Sequence, residues 1–130
     1  MRVVFDSNVL ISAMTLPGGQ GDRALSVALS GAVTLIASKH ILHEVLRILG
    51  AKFSRSPEEL ARVAVLLGDL AVWVEPELRF RILNDEPDNR ILECAVHGHA
   101  ELIVTGDREM LALRELEAVR IVTLRSFLDR

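Results

Sequence analysis

The sequence is short of the residues that mark several common protein classes. It has one cysteine, Cys94, so no internal disulfide forms and no cysteine pair supports a zinc cluster. That usage suits a cytoplasmic protein. No apolar run approaches the roughly 20 residues of a membrane helix. Asp6 also comes too early for the apolar stretch of a signal peptide. There is no tyrosine, and the single tryptophan, Trp73, falls in a strand and reads as core rather than as a base-stacking platform. The net charge is -3, whereas a binder that relies on a broad phosphate-neutralising surface is usually basic. Any attraction for nucleic acid would have to come from local arginines and bound metal. What is abundant is apolar residues, half of 130, enough for one domain with a sizeable core.

Short apolar strands alternate with amphipathic helices along the chain. Arg2 to Phe5, Val33 to Ala37, Val72 to Val74, Glu101 to Thr105 and Val119 to Val122 read as strands. Pro17-Gly18-Gly19-Gln20-Gly21 is a loop. Asp22 reads as the cap of a helix to about Leu29, and Ser38 as the cap of one from Lys39 to Leu49 that stops at Gly50. Ser56-Pro57-Glu58-Glu59 is a strong helix start, with a serine cap, a proline in the first turn and an acid three residues on. Asp88 begins a further helix to about His97, Asp107 to Leu116 reads as helical, and Ser126 to Asp129 closes the chain. Glu77 to Pro87 reads mostly as loop. The alternation predicts an α/β fold, a three-layer α/β/α sandwich around a mostly parallel sheet of about five strands.

Two aspartates stand just past strands, Asp6 after Val3-Val4-Phe5 and Asp107 after Ile103-Val104-Thr105-Gly106. In an open parallel sheet, ligands collect outside the carboxyl ends of strands where strand order reverses. Glu44 lies about 60° round its helix from Ile41, on the shoulder of the apolar face. Asp88 sits at a helix start. Taken singly, each acid has an ordinary reading as a turn residue, a cap or a surface charge. Together they fall on elements that a doubly wound sheet brings to one edge. Carboxylates gathered there repel one another unless a cation joins them, and their oxygens suit Mg²⁺ or Mn²⁺. Ser7, Asn8 and Thr105 could orient a carboxylate or a metal-bound water. Arg90 and Arg108 could meet phosphate or form surface ion pairs. The Walker loop and the Gly-x-Ser-x-Gly elbow are both missing.

Four segments in order, Val-Val-Phe-Asp-Ser-Asn-Val-Leu-Ile-Ser, Ile-Leu-His-Glu-Val-Leu, Pro-Asp-Asn-Arg-Ile-Leu-Glu-Cys-Ala and Ile-Val-Thr-Gly-Asp, resemble the PIN-domain family, in particular toxin components of prokaryotic toxin–antitoxin systems. The resemblance spans nearly the whole chain. It implies a metal-dependent ribonuclease using Mg²⁺ or Mn²⁺, with Asp6, Glu44, Asp88 and Asp107 as the acidic quartet and Ser7, Asn8 and Thr105 as polar accessories. It also implies an antitoxin partner, a homodimer and products bearing a 5′-phosphate and a 3′-hydroxyl. The sequence departs from the family where a second acid often precedes the central aspartate. Pro87 stands there, with Glu86 and Asp85 further back, and Glu109 follows the last aspartate by two. Two rival readings are a catalytically weak binding module and a nuclease with no toxin role, acting in RNA processing or on structured DNA.

Overall fold

Short runs of Val, Ile, Leu and Phe form a six-stranded sheet in the computed structural model, which describes residues 1–130. In chain order the elements are β1 (Arg2–Phe5), α1 (Ser7–Thr15), α2 (Gln20–Leu29), β2 (Thr34–Ala37), α3 (Lys39–Lys52), α4 (Pro57–Leu70), β3 (Val72–Trp73), α5 (Glu86–His97), β4 (Leu102–Val104), α6 (Arg108–Ala112), β5 (Glu115–Leu116), β6 (Val119–Val122) and α7 (Leu124–Leu128). The strand order is β3-β2-β1-β4-β6-β5. Every neighbouring pair is parallel except β5 and β6.

This order fixes where a ligand can sit. From β1 the chain crosses to β2 on one side, then returns to place β4 on the other. Val3, Val4 and Phe5 lie opposite Leu102, Ile103 and Val104. The reversal therefore falls between β1 and β4, and a crevice opens beyond their carboxyl ends. Both strands are central and their apolar residues fully buried, as expected for a parallel sheet covered by helices. Phe5 meets Phe127 of α7 edge to face, with ring centroids 5.5 Å apart.

Local chemistry explains the helix boundaries and corrects several expectations. The capping box at Ser56 is complete: its hydroxyl accepts the Glu59 N–H and the Glu59 carboxylate accepts the Ser56 N–H. The helix after the glycine loop starts at Gln20, and Asp22 lies in its first turn, where it accepts the Gly18 N–H at 2.8 Å. Gly21 is needed for packing, since a Cβ there would come within 2.9 Å of the Ala13 nitrogen and the Ser12 side chain. Helix α3 runs through Gly50 to Lys52 because its apolar face continues against α4. Ser38 occupies its N-cap position but makes no capping bond.

The expected long helix after Asp107 is instead the five-residue α6 followed by a β5–β6 hairpin, which supplies a sixth, antiparallel strand. The chain turns there at Arg114 and Glu117, both with positive φ although neither is glycine. The last helix begins at Leu124, capped by Thr123, rather than at Ser126. No helix is long and apolar enough to cross a membrane.

Candidate metal centre

The crevice beyond β1 and β4 is built around one hydroxyl. Asp6, 1% exposed, follows β1 and caps α1 by accepting the Asn8 N–H on Oδ1 at 3.3 Å. Its other oxygen, Oδ2, accepts from the Thr105 hydroxyl at 2.6 Å. The same hydroxyl accepts the Asp107 N–H at 3.0 Å. Asp107 in turn caps α6 by accepting the Met110 N–H at 2.8 Å. Thr105 is wholly buried, so it ties the two strand-end aspartates into one rigid unit across the β1–β4 boundary. For both aspartates the cap reading and the site reading describe one geometry. Each uses one oxygen for a helix and is held at the mouth of the sheet.

Glu44 reaches the same edge from α3. Ile41 and Val45 bury their side chains in the core, which leaves Glu44 half-buried on the shoulder of that face. Its carboxyl is raised above the usual range, first by burial and then by Asp6 and Asp85, with the Ser7 hydroxyl and Arg47 opposing. Burial also raises Asp6; the Thr105 hydroxyl opposes this and Asp107 adds to it.

Asp88 is the most perturbed of the group. Helix α5 begins at Glu86, with Asp85 in the N-cap position, so Asp88 lies inside the first turn rather than at the start. It is buried, and its carboxyl is pushed up to about 7 by burial, then by Asp6, Asp85, Asp107 and Glu44. Asp6, Glu44 and Asp107 therefore all bear on Asp88. None of them takes part in any of the six ion pairs of the chain. This is negative charge collected at one sheet edge and opposed there by Arg47 but by no ion pair.

The four do not close into a cage, since no three carboxylate, imidazole or thiolate side chains are gathered tightly enough to hold an ion by themselves. The neighbouring cleft, about 240 Å³, is lined by Ser7, His40, Glu44, Glu86 and Arg90 among others, and Asp6, Asp88 and Asp107 do not line it. The donor set still fits Mg²⁺ or Mn²⁺. Such ions take hard oxygen ligands, keep several waters and are commonly held through one or two carboxylates, so a closed cage is not required. A cation would also relieve the repulsion that raises Asp88.

The accessory residues divide. Ser7 is buried beside Glu44, whereas the Asn8 side chain is exposed and only its backbone N–H reaches Asp6. Arg108 is exposed and unpaired. Arg90 is committed elsewhere: it pairs with Glu86 and with the buried Glu93, and donates to the Phe80 carbonyl. Glu109 accepts the Asn84 N–H at 2.7 Å and so fastens the loop before α5. Sequence reasoning passed over Asp85, which bears on both Glu44 and Asp88. Its signal was present, as it lies three residues, about one helical turn, before Asp88. Cys94 is a buried core thiol, pushed up to about 12 by burial.

A family model described as PIN domain matches residues 2–109. An uncharacterised protein of Methanocaldococcus jannaschii, MJ1680, is 27% identical over 119 residues, covering 88% of this chain and 76% of that protein. The fold is similar to a crystal structure of VapBC2 from Rickettsia felis bound to a DNA fragment from its promoter. The TM-score is 0.66 at 13% identity, covering 95% of this chain and 98% of the other.

Proposed function

Because this chain belongs to the PIN-domain family, whose members are generally nucleases, we propose that it is a divalent-metal-dependent endoribonuclease and acts as the toxin of a toxin–antitoxin pair. The observation that supports this best is that Asp6, Glu44, Asp85 and Asp107 all bear on the buried Asp88, while none of Asp6, Glu44, Asp88 and Asp107 takes part in an ion pair. Structural ion-pair networks bring acids together with bases; here acids meet acids, a pattern of catalytic sites.

In this reading Asp6, Glu44, Asp88 and Asp107 hold Mg²⁺ or Mn²⁺. The bound ion supplies Lewis acidity toward the scissile phosphate and makes water a competent nucleophile near neutral pH. The chain's own residues do the rest. Thr105 fixes the Asp6 carboxylate so that Oδ1 and Oδ2 cannot rotate away from the crevice. Asp88, buried in the first turn of α5 among the other acids, would give up its proton to join them in holding the cation. Ser7 orients Glu44. A nucleic-acid-binding module without catalysis would have no use for mutually repelling acids at the switch point. The antitoxin would be a protein that covers this acidic edge, and homodimerisation is part of the same proposal.

The test is cleavage of a labelled RNA by purified Asp6→Asn, which removes charge with little change of volume. Activity of the parent should require Mg²⁺ or Mn²⁺ and disappear with chelator, and the variant should lose at least roughly a hundredfold, the upper end of what even outer contacts to a metal are worth. An unchanged rate in the variant rejects the site.

A further inference from the structure

Beside the acidic edge lies a second cleft, about 300 Å³, lined by Arg79, Phe80, Arg81, Glu86 and Arg90. It shares Glu86 and Arg90 with the cleft that contains Glu44 and Ser7, so the two are contiguous. Counting the buried Glu93 that pairs with Arg79 and Arg90, three arginines face two glutamates, a local excess of one positive charge in a chain whose net charge is -3. The three are not equivalent. Arg90 is held by Glu86 and Glu93, and its Nε is buried without a partner. Arg79 stands 3.7 Å from Glu93 with its side chain 64% exposed. Arg81 is exposed and makes neither an ion pair nor a hydrogen bond, so its five donors are free.

The segment that carries them is fixed. Glu93, 2% exposed, accepts the Phe80 N–H at 2.8 Å, and Arg90 donates to the Phe80 carbonyl at 3.3 Å. Asn89 accepts the Ile82 and Leu83 N–H groups and donates to the Leu83 carbonyl. Glu109 takes the Asn84 N–H from the far side. A stretch without regular structure is thereby pinned at Phe80, Ile82, Leu83 and Asn84. Pinned loops hold side chains in place before a ligand arrives, which lowers the entropy lost on binding.

We propose that the Arg79-Phe80-Arg81 segment is a binding cleft for single-stranded RNA, in which Arg79 and Arg81 contact phosphates flanking the scissile bond and the exposed part of Phe80 receives a base. This rests on the nuclease reading above and names the path its substrate takes. Arginine forks suit phosphate geometry, and one aromatic between two cations is the pattern of a single-strand platform. Arg90 and Glu93 are positioning residues, since they act through the Phe80 backbone. A duplex could not splay a base onto Phe80, so single strands are preferred.

The experiment measures binding of a fluorescein-labelled single-stranded oligoribonucleotide, about twelve nucleotides long, by anisotropy in EDTA across a salt series. The proteins are the parent, Arg79→Gln, Arg81→Gln, the double variant, and Arg62→Gln on α4 as a control of equal charge change. Arg81→Gln should weaken binding about tenfold at low salt, and each arginine lost should lower the salt slope by about 0.7, the single-strand value per phosphate. Arg62→Gln should do neither, and a duplex of the same length should bind more weakly. With Mg²⁺ or Mn²⁺ added, Arg81→Gln should raise KM and leave kcat close to the parent. If both arginine variants bind with the affinity and slope of the control, or the duplex binds as tightly, the cleft is wrong even where Asp6-dependent cleavage is observed. If RNA binding depends on the arginines but no cleavage appears with either ion, the nuclease reading is wrong and the binding cleft remains.

Discussion

Asp88→Asn should stabilise the metal-free protein, because the carboxyl it replaces is held in a place hostile to charge. Its value rises from 3.8 to about 7. Between those limits the unfolded chain has lost the proton while the folded chain keeps it. The folded state binds more protons, and stability falls as pH climbs through that window. Above about pH 7 the loss is complete. At 1.36 kcal/mol per unit the shift corresponds to about 4 kcal/mol, a ceiling because the repulsion is shared among five acids that can readjust. Asparagine keeps the volume and removes the charge. For a chain of this size the gain corresponds to an increase in Tm on the order of 10 °C at pH 8. The assay is thermal unfolding of parent and variant in EDTA from pH 4 to 8.5. The two curves should coincide near pH 4 and separate up to pH 7. Added Mg²⁺ should then raise the Tm of the parent more than that of the variant, which keeps three of the four carboxylates. A Tm difference that stays constant over the whole pH range would refute the account.

Two further substitutions probe the supports of the site. Thr105→Val keeps the shape but leaves the Asp107 N–H and Asp6 Oδ2 without their shared partner; urea unfolding should show a loss of roughly 1–3 kcal/mol, with RNA cleavage reduced as well. Glu93→Gln leaves Arg90 short of its buried counter-charge and should cost about 3 kcal/mol in the same measurement, accompanied by faster amide exchange at Phe80. Unaltered exchange at Phe80 would show that the loop is held by other contacts.

The strands that build the crevice were legible because each is a short, uninterrupted apolar run bounded by turn residues, as Val3-Val4-Phe5 and Leu102-Ile103-Val104 are. Asp6 and Asp107 were legible for the same reason, being the first acids after such runs. Beyond α6 the reading failed. Glu115-Leu116 is too short to show a period, and the turns around it use Arg114 and Glu117 in a conformation that sequence rules assign to glycine or asparagine. Tertiary pairing with β6 outweighed local preference there. The ion pair expected of Arg90 is present with the exposed Glu86, but its second partner, the buried Glu93, lies on the same helix amid apolar neighbours, where an acid gives no sign of being inside. The latch formed by Glu109 across twenty-five positions to Asn84 had no local signature.

The Thr105–Asp6 contact joins positions ninety-nine apart in the chain. Thr105 must therefore leave the ribosome before β4 can slot in beside β1. Until then the early aspartate has no hydroxyl to orient it and no companion across the strand boundary. Under the proposed ribonuclease activity, a chain still under synthesis would in this way be disarmed toward the message it is translated from.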